Sequence, residues 1–113
     1  MSAGATAPQF HPLAPRGQLH DGEVRAFEVE GVRLVLVRQG GRFAVLEGFC
    51  PHAGHPLDAA RVIGSNLRCD MHGYLFDVHG GTCTYYTEGP CRGLRVYPCV
   101  ERDGQVGVML QAG

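Results

Sequence analysis

The sequence predicts an all-β protein carrying a loop-rich insertion, and three observations support that class. Stretches of alternating apolar and polar residues, or β-branched runs, are separated by Gly-containing turn signals. No stretch sustains a 3.6-residue period. Seventeen Gly and seven Pro in 113 residues suit tight turns between short strands. A chain of this length is most simply one domain, burying roughly two-thirds of the surface its unfolded form exposes.

Residues 1–16 read as a flexible N-terminal arm, because Pro8, Pro12 and Pro15 block regular structure. Residues 17–113 then form the domain. Val24–Val29 alternates and is followed by Gly31, after which Val32–Arg38 forms a β-branched run. Gln39-Gly40-Gly41 is a hairpin signal, with Phe43–Leu46 as the return strand. At the far end Leu94–Arg102 alternates, placing Leu94, Val96, Pro98 and Val100 on one face and Cys99 on the less buried one. Asp103-Gly104 is a strong turn, and Gln105–Leu110 is the last strand. Between these blocks, residues 48–93 hold four of the six His and four of the five Cys. Loops positioned by a rigid scaffold are where function concentrates.

Composition narrows the function classes. Ten basic residues, all Arg, nearly balance eleven acids and form no stripe, so nucleic-acid binding has no electrostatic support. The N-terminus has neither the apolar core of a signal peptide nor paired Arg. The apolar run Leu34–Val37 is far too short to cross a bilayer, and a soluble, cytoplasmic protein without membrane contact is expected. Five Cys are too few and too scattered for a disulfide scaffold. In a reducing compartment they serve as ligands or buried thiols.

Two motifs inside the insertion carry chemistry. Cys50-Pro51-His52 and, sixteen residues on, Cys69-Asp70-Met71-His72 each pair a thiol with an imidazole. Two thiolates and two imidazoles can hold a tetrahedral Zn²⁺ or one [2Fe–2S] cluster. Zinc loops usually supply one chemical type each. Mixed loops suit a cluster in which one iron takes both thiolates and the other both imidazoles. Exchanging two thiolates for neutral imidazoles removes negative charge, so an electron is added more easily.

Cys50-x-His52, its spacer and Cys69-x₂-His72, with Gly73 and aromatics following, resemble the Rieske signature. The likeness spans about residues 10–111. Asp21-Gly22-Glu23 and the Gly40-Gly41 hairpin resemble the start of Rieske ferredoxins, and Leu94-Arg95-Val96-Tyr97-Pro98 with Asp103-Gly104 resembles their ending. The resemblance implies the Rieske fold, an antiparallel β-sandwich-like base with a smaller cluster-binding subdomain at about residues 48–93. It also implies one [2Fe–2S] cluster, with Cys50 and Cys69 on an inner iron and His52 and His72 on an outer iron near solvent.

Departures from the family's respiratory members refine that expectation. Those proteins carry a loop-to-loop disulfide where His55 and Met71 stand here, and a Ser and a Tyr where Tyr74 and Phe76 stand. Hydrogen bonds from such hydroxyls to sulfur stabilise the reduced cluster, so their loss predicts a low potential. His55 reads as a neighbour of the cluster or a surface residue. His11, His20 and His79 carry no spacing argument. Cys83, Cys91 and Cys99 lie outside the signature and read as free thiols, with a Cys83–Cys91 bridge as the alternative.

The resemblance implies a one-electron carrier between a reductase and a terminal oxygenase, similar to the ferredoxin components of bacterial aromatic-ring dioxygenase systems, and not itself an enzyme. A Rieske oxygenase needs a second, larger domain for its mononuclear iron. The alternatives are a redox-sensing or accessory subunit, like the small subunit of nitrite reductase, and a zinc-binding module. Partners are expected to dock transiently near the His ligands, on a rim of Pro51, Ala53, Pro56, Leu57 and Tyr74 with Asp58 and Asp70 nearby.

Overall fold

The computed structural model describes residues 7–111. Its strands are β1 (Gln9–Pro15), β2 (Val24–Val29), β3 (Val32–Gln39), β4 (Arg42–Glu47), β5 (Arg61–Ile63), β6 (Asn66–Arg68), β7 (Leu75–Asp77), β8 (Cys83–Tyr85), β9 (Val96–Tyr97), β10 (Cys99–Arg102) and β11 (Gln105–Leu110). A short 3-10 helix, Arg16–Gln18, follows β1. The sheets are antiparallel, in the orders β1-β11-β10, β2-β3-β4-β9 and β5-β6-β7-β8. Among the described residues no helix is long and apolar enough to cross a membrane.

Turn chemistry sets the register of the tight hairpins. Glu30 and Gly31 (φ 52° and 76°), Gly40 and Gly41 (61° and 77°), and Asp103 and Gly104 (51° and 78°) each form a two-residue loop with both φ positive. That backbone twist matches the twist of the flanking strands, and it sets Val29 opposite Val32, Gln39 opposite Arg42 and Arg102 opposite Gln105.

The central sheet is covered on both faces. Leu34 and Leu36 of β3, with Val45, pack against Ala14, Leu19, Val106, Val108 and Leu110. Val35 and Val37 face the other way and, with Ala44 and Leu46, meet Leu57, Leu67, Phe76, Val78 and Leu94. A strand buried on both faces shows a continuous apolar run instead of an alternation.

Two expectations need correction. Residues 1–16 are not an arm throughout: β1 pairs with β11 from Gln9 opposite Leu110 to Pro15 opposite Gln105, and Ala14 is buried. Pro residues are tolerated because β1 is an edge strand, and the register shifts between Pro12 and Ala14. Its backbone lies so close to Gly107 that a methyl there would meet the His11 carbonyl and the Phe10 ring. The part of the arm at residues 1–6 lies outside the described residues.

The stretch Leu94–Arg102 is also not one strand. It breaks at Pro98 into β9, paired with β4, and β10, paired with β11. Pro98 has no N–H to donate, and its carbonyl accepts from the Met109 N–H at 3.0 Å. On both sides of the break the expected faces are exchanged. Val96 is 42% exposed, whereas Tyr97 and Cys99 pack against the β11 core. Burial, reinforced by the Glu101 charge, pushes the Cys99 thiol up to about 11.

Polar contacts fasten the insertion to this platform. Gln39 Oε1 accepts from His79 Nε2 at 2.9 Å, and Gln39 Nε2 donates to the Gly64 carbonyl at 3.1 Å. At the end of β4, Glu47 accepts from Arg92 Nη1 and Nη2 (2.6 and 3.0 Å) and from the Arg95 N–H (2.6 Å). Burial alone would raise the Glu47 carboxyl. The Arg92 guanidinium and the Arg95 N–H outweigh it and hold the group below its ordinary value. A depressed carboxyl stabilises the fold above its unfolded value, and the contribution disappears as pH falls through the folded one. Glu47→Gln should therefore cost about 1–3 kcal/mol at pH 7 in urea denaturation, with the gap to wild type closing in acid.

Candidate metal centre

Two loops at one end of the β5–β8 sheet present the predicted residues. The first leaves β4 at Gly48 and closes on itself through Leu57 N–H to Gly48 carbonyl (2.8 Å), Cys50 N–H to His55 carbonyl (2.8 Å) and Gly54 N–H to Cys50 carbonyl (2.7 Å). The second joins β6 to β7, with the Cys69 N–H on the Tyr74 carbonyl at 2.9 Å. Its reversal runs through His72 and Gly73 at φ 69° and 73°. Glu30 and Asp103, the other non-glycine residues described at positive φ, sit in hairpin turns. A His held there costs on the order of 1–3 kcal/mol, a strain that clusters at functional sites.

The structure groups the thiols inside and the imidazoles outside. Cys50 and Cys69 are fully buried in the core beneath the loops. Burial pushes the Cys69 thiol up to about 11, the Cys50 thiol adds to the rise, and the Met71 N–H on its sulfur opposes it. A thiol raised in this way gives up its proton when a metal displaces it. His52 and His72 lie toward solvent, their side chains 17% and 40% exposed, with ring centroids 5.0 Å apart and planes at 83°.

Tyr74 holds this edge together. It is fully buried, its ring stacks on His52 at 4.2 Å and 19°, and its hydroxyl donates to the Gly89 carbonyl at 2.6 Å. Leu57 is also fully buried. Neither belongs to the docking rim that the sequence suggested, because both face the core. The exposed apolar surface beside His72 is instead a cleft lined by Ile63, Leu75 and Tyr85, with Arg68 at its side.

A third loop supplies a residue that sequence reasoning missed. Glu88 Oε1 lies 2.9 Å from His52 Nε2, and Oε2 lies 3.7 Å from His72 Nε2. Its only local signal is a carboxylate before Gly89-Pro90, which nothing distinguishes from a solvated turn. His55 Nε2 lies 2.9 Å from Asp70 Oδ1, joining the first loop to the second. Cys83 and Cys91 are free thiols with sulfurs 3.8 Å apart.

The donor set fits a binuclear group with unlike ends. Two buried thiols face one side, and two imidazoles whose Nε2 atoms turn to Glu88 keep Nδ1 as the remaining ring nitrogen.

Comparison with known proteins gives the same class. A model of the Rieske [2Fe–2S] domain matches residues 9–98. The vanillate O-demethylase oxygenase subunit of a Pseudomonas species is 37% identical over 81 residues, covering 67% of this chain and 24% of the relative. The chain spans about a quarter or less of the first curated relatives it matches. Among solved structures, the ferredoxin of carbazole 1,9a-dioxygenase from Nocardioides aromaticivorans superposes with a TM-score of 0.78 at 29% identity, covering 88% of this chain and 96% of that one. A Sphingomonas yanoikuyae ferredoxin gives 0.80 at 24% identity, covering 90% and 99%.

Tyr74→Phe removes the donor to the Gly89 carbonyl of the third loop. It should cost about 1 kcal/mol of stability by denaturant titration, while leaving the His52 stacking face in place.

Proposed function

The chain belongs to the Rieske [2Fe–2S] domain family, with one Rieske-type cluster, and from that premise we propose its ligands and its role. Cys50, His52, Cys69 and His72 hold the cluster. The protein is not itself an enzyme; it carries single electrons from a reductase to a terminal oxygenase in the cytoplasm. One observation carries the reading: buried thiols and outward imidazoles come from two facing loops, in a chain that overlays 96% and 99% of two ferredoxins.

The bound cluster supplies a site that takes up and returns one electron. The protein's residues determine where that happens. Cys50 and Cys69 anchor one end in a dry core and keep water from the sulfur. His52 and His72 bring the other end to the surface, where a partner can approach. The cleft of Ile63, Leu75 and Tyr85 beside His72 offers a small apolar footing, suited to a brief electron-transfer encounter.

The potential belongs at the low end of the range of about −150 to +300 mV for such centres. Phe76 has no hydroxyl, and the Tyr74 hydroxyl is committed to the Gly89 carbonyl. Neither bonds to sulfur to stabilise the reduced state.

The purified protein should be red-brown, bleach with dithionite and then show a rhombic EPR signal. Colourless protein with stoichiometric zinc overturns the assignment. The midpoint should lie below about +100 mV, and a higher value removes the low-potential reading. Phe76→Tyr should raise the midpoint by adding a hydroxyl near the thiolates, which the same titration measures. The carrier role is tested by reconstitution: an oxygenase should turn over with this protein as its electron donor.

A further inference from the structure

We propose that Glu88 is a positioning residue for the outer end of the cluster, which holds both imidazoles and lowers the reduction potential. The proposal rests on the ligand assignment above. Its starting point is the geometry: one carboxylate spans the Nε2 atoms of His52 and His72, at 2.9 and 3.7 Å, on rings crossed at 83°.

Glu88 is 53% exposed, and an exposed ion pair alone rarely fixes a side chain. Here the backbone on both sides is tied down. Thr87 Oγ1 donates to the His72 carbonyl at 2.8 Å, the Glu88 N–H donates to the Tyr74 hydroxyl at 3.3 Å, and that hydroxyl donates to the Gly89 carbonyl at 2.6 Å. The anchors are the two residues that define the imidazole edge: His72 itself and Tyr74, on which His52 stacks. Each of the loop's three residues is thus tied to His72 or to Tyr74.

The chemistry follows from which nitrogen is left. An imidazole that binds metal through Nδ1 carries its proton on Nε2 and donates it outward. A carboxylate there fixes the tautomer and ring angle and makes the ligand a stronger electron donor. Stronger donation favours oxidised iron. The carboxylate's charge also opposes the electron that reduction adds, and both effects lower the potential.

Glu88→Gln keeps the size and removes the charge. In the cluster-loaded protein it should shift the one-electron equilibrium toward the reduced form about tenfold, a rise of about 59 mV. The rhombic EPR signal should persist, because the four ligands remain. A loaded Glu88→Gln protein whose midpoint matches wild type or lies below it overturns the proposal. If Glu88→Gln does not load, Thr87→Val reads the same effect, since it keeps the charge but cuts the anchor at His72. Its one-electron equilibrium should then shift toward the reduced form by less than tenfold, a rise below about 59 mV, and a Thr87→Val midpoint equal to wild type overturns the proposal. Wild-type protein without a cluster spectrum overturns the ligand assignment instead, so the two failures are distinct.

Discussion

The fold depends on one strand being buried from both sides. Leu34 and Leu36 of β3 supply one core and Val35 and Val37 the other, all four fully buried. Each such side chain contributes roughly 1.5–3 kcal/mol on leaving water. The β5–β8 sheet could not stand alone, because its strands have three residues each. It exists because Val35, Val37, Ala44 and Leu46 offer it an apolar floor. The loops that carry Cys50, His52, Cys69 and His72 rise from that sheet, so the candidate centre is built on the same strand as the distant β1–β11 pairing.

Where local chemistry decided the structure, the sequence was legible. Val24–Val29 and Gln105–Leu110 have the predicted bounds, and the Gly-containing turns sit where the hairpins close. The all-β class and the Rieske fold follow from the same signals. The ligand motifs stood out because joint Cys and His spacing is rare outside metal sites. Legibility failed where long-range geometry overrode local preference. Proline argued against β1, yet an edge strand needs few donors. Pro98 moved the chain between sheets, and Val96 and Cys99 take the faces opposite to those expected. Leu57 and Tyr74 read as rim residues because nothing local records that a loop folds inward. Glu88 was invisible for a related reason: its partners are 36 and 16 positions away, on other loops.

The centre is graded from dry to wet. Thiols at the bottom lie in a core that excludes water, and that burial raises the cost of ionising Cys69. Imidazoles at the top lie at 17% and 40% exposure, against a carboxylate on a third loop. Tyr74 links the levels, with its ring on one imidazole and its hydroxyl on the loop that carries the carboxylate.

The contact between His55 and Asp70 joins the two loops next to Met71, which with His55 occupies the positions where the family resemblance implies a disulfide in respiratory members. Exposed pairs of this kind hold about 0–1 kcal/mol, against roughly 2–4 for a covalent bridge. On the proposed ligation, the inorganic cluster is the strongest stitch between the loops, since each loop supplies one thiol and one imidazole. The tip is then riveted by iron rather than by oxidation. Its rigidity follows the cell's supply of iron and sulfide, and a chain that loses its metal keeps a sound platform beneath an open seam.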